Sequence, residues 1–185
     1  MAQGASQEAL GWRNIQKVVA IFSVWTDKKP NKALLDEAAN YIDYSEMAEK
    51  SIGPQWFKLS PLDKKEYAFV LRKLIEDKYY RRWNKILSKG KVEKLKVVDT
   101  KDSLYVKTRL TAGGDEDLLV WRLSKRDGKY RVISIAADEK DLLTRMSIRV
   151  RKRLSKDGFD KLIAWMKDKA DIEEMPTRIR STASK

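Results

Sequence analysis

The sequence contains no cysteine and no histidine. The first absence removes disulfides, thiolate zinc sites and thiol nucleophiles. The second removes the commonest general base and metal ligand near neutral pH. Catalysis would rest on carboxylates, lysine, tyrosine or serine alone, and no G-x-S-x-G or phosphate-loop pattern organises them. Nothing in the sequence argues for an enzyme. The lack of cysteine fits any compartment and is mildly expected in an oxidising one, where a stray thiol is a liability. No apolar run approaches the ~20 residues of a membrane-spanning helix. Met1 to Ser6 shows no basic stretch followed by an apolar one, so no signal peptide is read there. The small residues after Met1 fit a start left once a leader has been cut away. Acidic charge is also short: 27 Asp and Glu face 40 Lys and Arg, a net charge of +13. That balance points to an anionic partner, whether nucleic acid, an anionic lipid surface or an acidic protein, unless it serves solubility alone.

What is present suffices for one domain. The 185 residues are 42% hydrophobic and 36% charged, enough apolar material for a real core. We expect a single domain over 1–170 and a polar, unpatterned tail over 171–185. The centre reads as strands. Leu104, Val106, Thr108 and Leu110 alternate with Tyr105, Lys107 and Arg109; Leu119, Trp121 and Leu123 alternate with Val120 and Arg122; Tyr130 and Val132 alternate with Arg131 and Ile133. Period-two alternation puts one set of side chains on each face of a sheet. Asp102-Ser103, Gly113-Gly114 with Asp115-Glu116-Asp117, and Asp127-Gly128 are turns. Four strands result, at 92–99, 103–112, 118–125 and 129–136. The acidic run at 115–117 is read as solvated turn chemistry rather than a metal site.

Helical spacing governs the flanks. Trp12, Ile15, Val18, Val19, Phe22 and Trp25 mark a helix over 7–25. A short helix buries Leu34, Leu35, Ala38 and Ala39. Asp43-Tyr44-Ser45-Glu46 is a capping-box start, and 55–59 is an aromatic loop after Gly53-Pro54. Ser60-Pro61-Leu62-Asp63 opens a long helix to about Ser88. A helix over 139–154 carries Leu142, Leu143, Met146, Val150 and Leu154 inward, with Arg145, Arg149, Lys152 and Lys156 beside them. No acid interrupts 142–156. A last helix buries Phe159, Leu162, Ile163 and Met166. Helices, meander, helices is α+β, with helices packed on one face of a four-stranded antiparallel sheet. The six tryptophans fall mostly on inward stripes, and patterning alone leaves open whether they fill a core or line an apolar cavity between sheet and helices.

Leu34 to Lys169 resembles the MlaC, or toluene-tolerance, family of ABC-transporter auxiliary proteins. The resemblance is carried by Ile42-Asp43-Tyr44 with Met47; by Gly53 and Trp56; by Leu59-Ser60-Pro61 with Lys64-Lys65 and Tyr67; and by Tyr80 near the end of the long helix. Tyr130-Arg131-Val132-Ile133-Ser134-Ile135 looks like the family's W-K-V-x-D-V run, with Ser134 where Asp is usual. Asp157-Gly158-Phe159-Asp160-Lys161-Leu162-Ile163 resembles its closing segment. The sequence departs at Arg145-Met146-Ser147, where the family has N-Y-R, at Val150 for an aromatic, and at the turn Ala136–Lys140.

The resemblance implies a non-enzymatic periplasmic lipid shuttle. Such proteins hold phospholipid chains, or in one branch hopanoid-like lipids, in an apolar cavity. They pass lipid between an outer-membrane lipoprotein complex and an inner-membrane ABC transporter with its substrate-binding partner. No cofactor or metal is expected. Leu104, Val106, Leu110, Leu119, Trp121, Leu123, Tyr130 and Val132 would supply the sheet wall. Tyr79, Tyr80, Trp83, Leu142, Leu143 and Met146 would supply the helix wall. Arg145, Arg149 and Lys152 would meet the head group, a membrane or a partner. Two rival readings are a nucleic-acid-binding module using the helix at 139–156 and an adaptor with a solid core.

Overall fold

A computed structural model describes residues 2–25, 32–137 and 140–170. The element order is α1 (Ala2–Val24), α2 (Lys32–Ala38), α3 (Tyr44–Ile52), a 3-10 helix (Gly53–Lys58), α4 (Pro61–Lys78), α5 (Tyr80–Leu87), β1 (Lys91–Asp99), β2 (Ser103–Ala112), β3 (Asp115–Arg126), β4 (Lys129–Ala137), β5 (Lys140–Asp141), α6 (Leu142–Asp157) and α7 (Phe159–Lys169). The expected 171–185 tail lies outside the described residues.

The fold is α+β, and its sheet has five antiparallel strands in sequence order, one more than the alternation predicts. The extra strand, β5, pairs only Ala136 with Asp141 and Ala137 with Lys140. The Gly113-Gly114 turn is tighter than expected. Both glycines have positive φ, 60° and 95°, the pattern of a two-residue hairpin loop that matches strand twist. Asp115, Glu116 and Asp117 therefore belong to β3, paired with Ala112, Thr111 and Leu110. Asp127-Gly128 repeats the arrangement, with φ of 54° and 68°.

Two bulges break the alternation. Between β3 and β4, Arg122 pairs with Ser134 but Leu123 pairs with Val132, so Ile133 is an extra residue. An extra residue reverses the faces taken by the residues beyond it. Tyr130 and Val132 share a face with Leu123, and beyond the bulge Ile135 lies opposite Trp121. Between β1 and β2, Leu95 is the extra residue, flanked by Lys94 and Lys96. The long edge of β4 is closed by Asp43 N donating to Val132 O and Val132 N donating to Tyr41 O, at 3.0 and 2.8 Å.

The helices start where capping chemistry places them. Ser60 accepts from Asp63 N at 3.1 Å, and Asp43 accepts from Glu46 N at 2.9 Å. The 139–154 helix begins later than its apolar spacing suggests. Asp141 caps it by accepting from Thr144 N at 2.7 Å, so α6 runs from Leu142. The aromatic stretch at 55–59 is mostly the 3-10 helix rather than a loop. The helix expected over 60–88 is two helices, meeting at Tyr79. No proline or glycine sits at that break. It falls beside an aromatic cluster: Tyr80 packs edge-on to Phe22 and Trp25, Trp83 packs edge-on to Phe22, and the Tyr80 hydroxyl meets that of Tyr44.

The cover differs from expectation in one large respect. α1 lies against β4, β1 and β2, and also against α5. Gly11 sits on its inward stripe with Ile15, Val18 and Phe22, and a Cβ there would collide with Leu104 Cδ2. Glycine is what permits so close a crossing. α6 packs on β4, β5, α3 and α7, and α4 packs on α3, α5 and α7.

Candidate functional site

A cavity of about 170 Å³ opens between α5, the inner face of the sheet and α6. Its apolar lining comes from Tyr79 at the junction of α4 and α5, Trp83, Ile86 and Leu87 on α5, Leu119 on β3, Ile135 and Ala137 on β4, and Leu142 and Met146 on α6. Its polar lining is Arg82, Lys140, Arg145 and Arg149. Three separate elements thus bring cations to an opening whose body is apolar.

Of the residues expected to form walls, Tyr79, Trp83, Leu119, Leu142 and Met146 line this cavity, and Arg145 and Arg149 stand at its polar side. The others lie elsewhere. Leu104, Val106, Leu110, Trp121, Leu123, Tyr130 and Val132 are buried in the filled core. α1 crosses over Leu104 and Leu123 and occupies space that a larger cavity would need. Asn14 Nδ2 of α1 donates to Tyr130 O at 2.6 Å. The Trp121 indole donates to Thr108 Oγ1 at 2.9 Å, so its polar edge is satisfied within the sheet. Tyr80 faces Tyr44 and Phe22 rather than the cavity. Leu143 points to the opposite side of α6, and exposed Lys152 lies further along the helix, away from the opening.

Sequence reasoning missed Arg82, Ile86, Leu87, Ile135, Ala137 and Lys140. Ile86 stands three residues after Trp83 and Arg82 three after Tyr79, so helical spacing carried both signals. Ile135 was hidden by the bulge at Ile133, which reverses the alternation on which its face was judged.

A second recess of about 490 Å³ lies on the far side of α6, bordered by Lys50, Phe57, Arg122, Leu143, Ile148 and Arg151. Its arginines are already engaged. Arg151 donates to Ser51 O and Lys50 O at 3.1 and 2.7 Å. Arg122 donates to Ser103 Oγ at 3.2 Å and lies over the Tyr105 ring. The smaller cavity is therefore the better candidate site: it reaches the inner face of the sheet, and its cations face no protein partner among the described residues.

The cavity is framed by fixed polar links. Ser134 Oγ donates to Asp141 Oδ2 at 2.7 Å and accepts from Leu143 N at 3.0 Å, tying β4 to the start of α6. Asn84 Nδ2 donates to Phe22 O at 2.6 Å, tying α5 to α1. Burial holds the hydroxyls of Tyr44, Tyr67 and Tyr80 well above the usual tyrosine range, so all three are neutral donors and acceptors within the core.

The sequence matches the MlaC protein family over residues 15–168. The chain belongs to the MlaC family. The fold agrees. A phospholipid-binding protein from Ralstonia solanacearum, solved in complex with a phospholipid, superposes with a TM-score of 0.74 at 15% identity, covering 88% of this chain and 96% of that one. No curated protein matches the sequence. Within the MlaC frame, the motif residue Asp43 caps α3 and pairs with Arg131 Nη2 at 3.1 Å. Tyr67 shares its hydroxyl with Ser51 Oγ at 2.6 Å. Gly158, with φ of 81°, separates α6 from α7. Ser134, where the family usually carries Asp, works with Asp141, whose carboxylate lies against it. Among the described residues no helix is long and apolar enough to cross a membrane, and no three acidic side chains gather as a metal site.

Proposed function

We propose that this MlaC-family protein is a periplasmic lipid carrier. It takes the apolar part of a phospholipid or hopanoid-like lipid between α5, α6 and the sheet, and moves it between an outer-membrane lipoprotein complex and an inner-membrane ABC transporter with its substrate-binding partner. The observation that carries the reading is the apolar cavity flanked by cations without a partner among the described residues, in a member of this family. Each methylene withdrawn from water contributes about 0.8 kcal/mol, so binding needs no catalytic group. The cavity of about 170 Å³ is below the ~300 Å³ at which ordinary ligand pockets begin. Loading two acyl chains therefore requires α5 or α6 to move away from the sheet.

The test is to purify the protein from a Gram-negative host, extract it with organic solvent and identify lipids by mass spectrometry. Labelled phospholipid is then followed from donor to acceptor vesicles. Bound phospholipid and protein-dependent transfer are expected. Protein that carries no lipid, and takes none up from vesicles, refutes the reading.

A further inference from the structure

We propose that the opening of the cavity selects lipids whose head group bears net negative charge, through Arg82, Lys140, Arg145 and Arg149. The inference rests on the carrier reading and adds the class of cargo. The four cations come from α5, β5 and α6 and border one opening, so they are not merely the polar stripe of one helix.

Arginines elsewhere in the chain show what the protein does with such groups when it uses them structurally. On α6 itself, Arg151 is committed to the carbonyls of Lys50 and Ser51. Arg153 pairs with Asp157 at 3.4 Å and lies 4.7 Å over Trp165. Arg72 is held by Glu76 at 2.6 Å, Arg126 by Glu46 at 3.4 Å, and Arg131 by Asp43. Arg82, Lys140, Arg145 and Arg149 make no ion pair or hydrogen bond with any described residue. Asp141, next to Lys140, is turned to Ser134 and to Thr144 N. The arginines of α6 thus divide by face, and the ones at the cavity are the ones left free among the described residues.

Gathering like charges disfavours the folded chain, and an anion at the opening relieves that repulsion. Guanidinium groups suit phosphate oxygens because two donors meet two acceptors in one plane. A head group of phosphate alone gains those contacts in full. A zwitterionic head group brings an ammonium into the same positive field and loses part of the gain. Two or three partly exposed charge contacts amount to a preference of roughly tenfold.

The experiment strips the full chain of lipid. It is then offered vesicles of phosphatidylglycerol and of phosphatidylethanolamine with matched acyl chains, and bound lipid is counted by native mass spectrometry. Three proteins are compared: the wild type, R145Q/R149Q, and K156Q/K161Q, which removes the same charge from positions that do not border the cavity. The wild type is expected to favour phosphatidylglycerol about tenfold at low salt and less as salt screens the opening. R145Q/R149Q is expected to take up both lipids without preference, and K156Q/K161Q to retain it. Equal uptake of both lipids by the wild type overturns the selectivity and leaves the carrier reading standing. A preference that survives R145Q/R149Q, or is lost equally in K156Q/K161Q, also overturns it. Wild type that takes up neither lipid overturns both. Inorganic phosphate is the remaining arm. If it binds the wild type as tightly as the lipid does, the cluster is a free-anion site and the head-group assignment falls.

Discussion

Replacing Asp43 gives a sharp test of how the family motif Ile42-Asp43-Tyr44 works. Its carboxylate is 1% exposed and serves three partners. Oδ1 accepts from Glu46 N at 2.9 Å, Oδ2 accepts from Ser124 Oγ at 3.2 Å, and Oδ2 lies 3.1 Å from Arg131 Nη2. Asp43→Ala loses an N-cap, worth about 1 kcal/mol. It also strands the arginine. Breaking a fully buried pair costs about 3–5 kcal/mol, but Arg131 keeps a quarter of its side chain in water, which reduces that to roughly 2 kcal/mol. The sum is about 3 kcal/mol, a fall in Tm of roughly 6–12 °C for a chain of this size. Asp43→Asn keeps a good cap and the contact with Ser124 but removes the charge, so it is expected to lose about two-thirds as much. Urea unfolding followed by circular dichroism measures both. Asp43→Ala within about 0.5 kcal/mol of wild type would show that the motif aspartate does not tie α3 to the sheet. Equal losses in the two variants would refute the division between cap and pair.

Thr108→Val leaves the buried Trp121 indole N–H without its acceptor and is expected to cost about 1–3 kcal/mol. The double variant Thr108→Val/Trp121→Phe is expected to recover part of that loss, and a cycle showing no coupling would sink the assignment. Ile86→Trp fills much of the cavity beside α5, so lipid loading by mass spectrometry should drop about tenfold while the Tm stays near wild type; unchanged loading would place the lipid elsewhere. Alkaline stability follows from Tyr44, Tyr67 and Tyr80, each held neutral chiefly by burial. The unfolded chain releases these protons near pH ~10 while the folded chain keeps them. Stability is therefore complete below that pH and falls above it by roughly 4 kcal/mol per pH unit for the three together. Tyrosinate absorbance from these three should appear only with unfolding. A single early rise with the fold intact contradicts the assignment.

The elements most legible in the sequence were those set by local chemistry. Ser60 and Asp43 mark helix starts because a side-chain oxygen meets a backbone N–H three residues on, and that geometry needs no tertiary context. Gly113-Gly114 and Asp127-Gly128 mark hairpins for the same reason. The parts that escaped depend on long-range packing. The break at Tyr79 has no breaker residue; it lies where Tyr80 meets Tyr44 from α3 and Phe22 from α1. The bulge at Ile133 leaves the composition of β4 unchanged yet exchanges the faces of Ser134 and Ile135. Alternation shows which side of a strand is apolar, not what covers it. Leu104, Val106 and Trp121 are as inward as expected, but α1 lies over that part of the sheet. Its one legible sign was Gly11, a glycine on an otherwise bulky stripe.

The bulge at Leu95 bears on how the chain behaves among copies of itself. With the long edge of β4 occupied by Ile42 and β5, β1 is the outer strand of the sheet. Its sequence places Lys91, Lys94 and Lys96 along that rim, with the pairing register interrupted between the last two. A rim that is both charged and out of step offers a poor template for another strand. The sheet can stop at β1 without recruiting a sixth strand from a neighbour, even though Leu95 and Val98 stand exposed there.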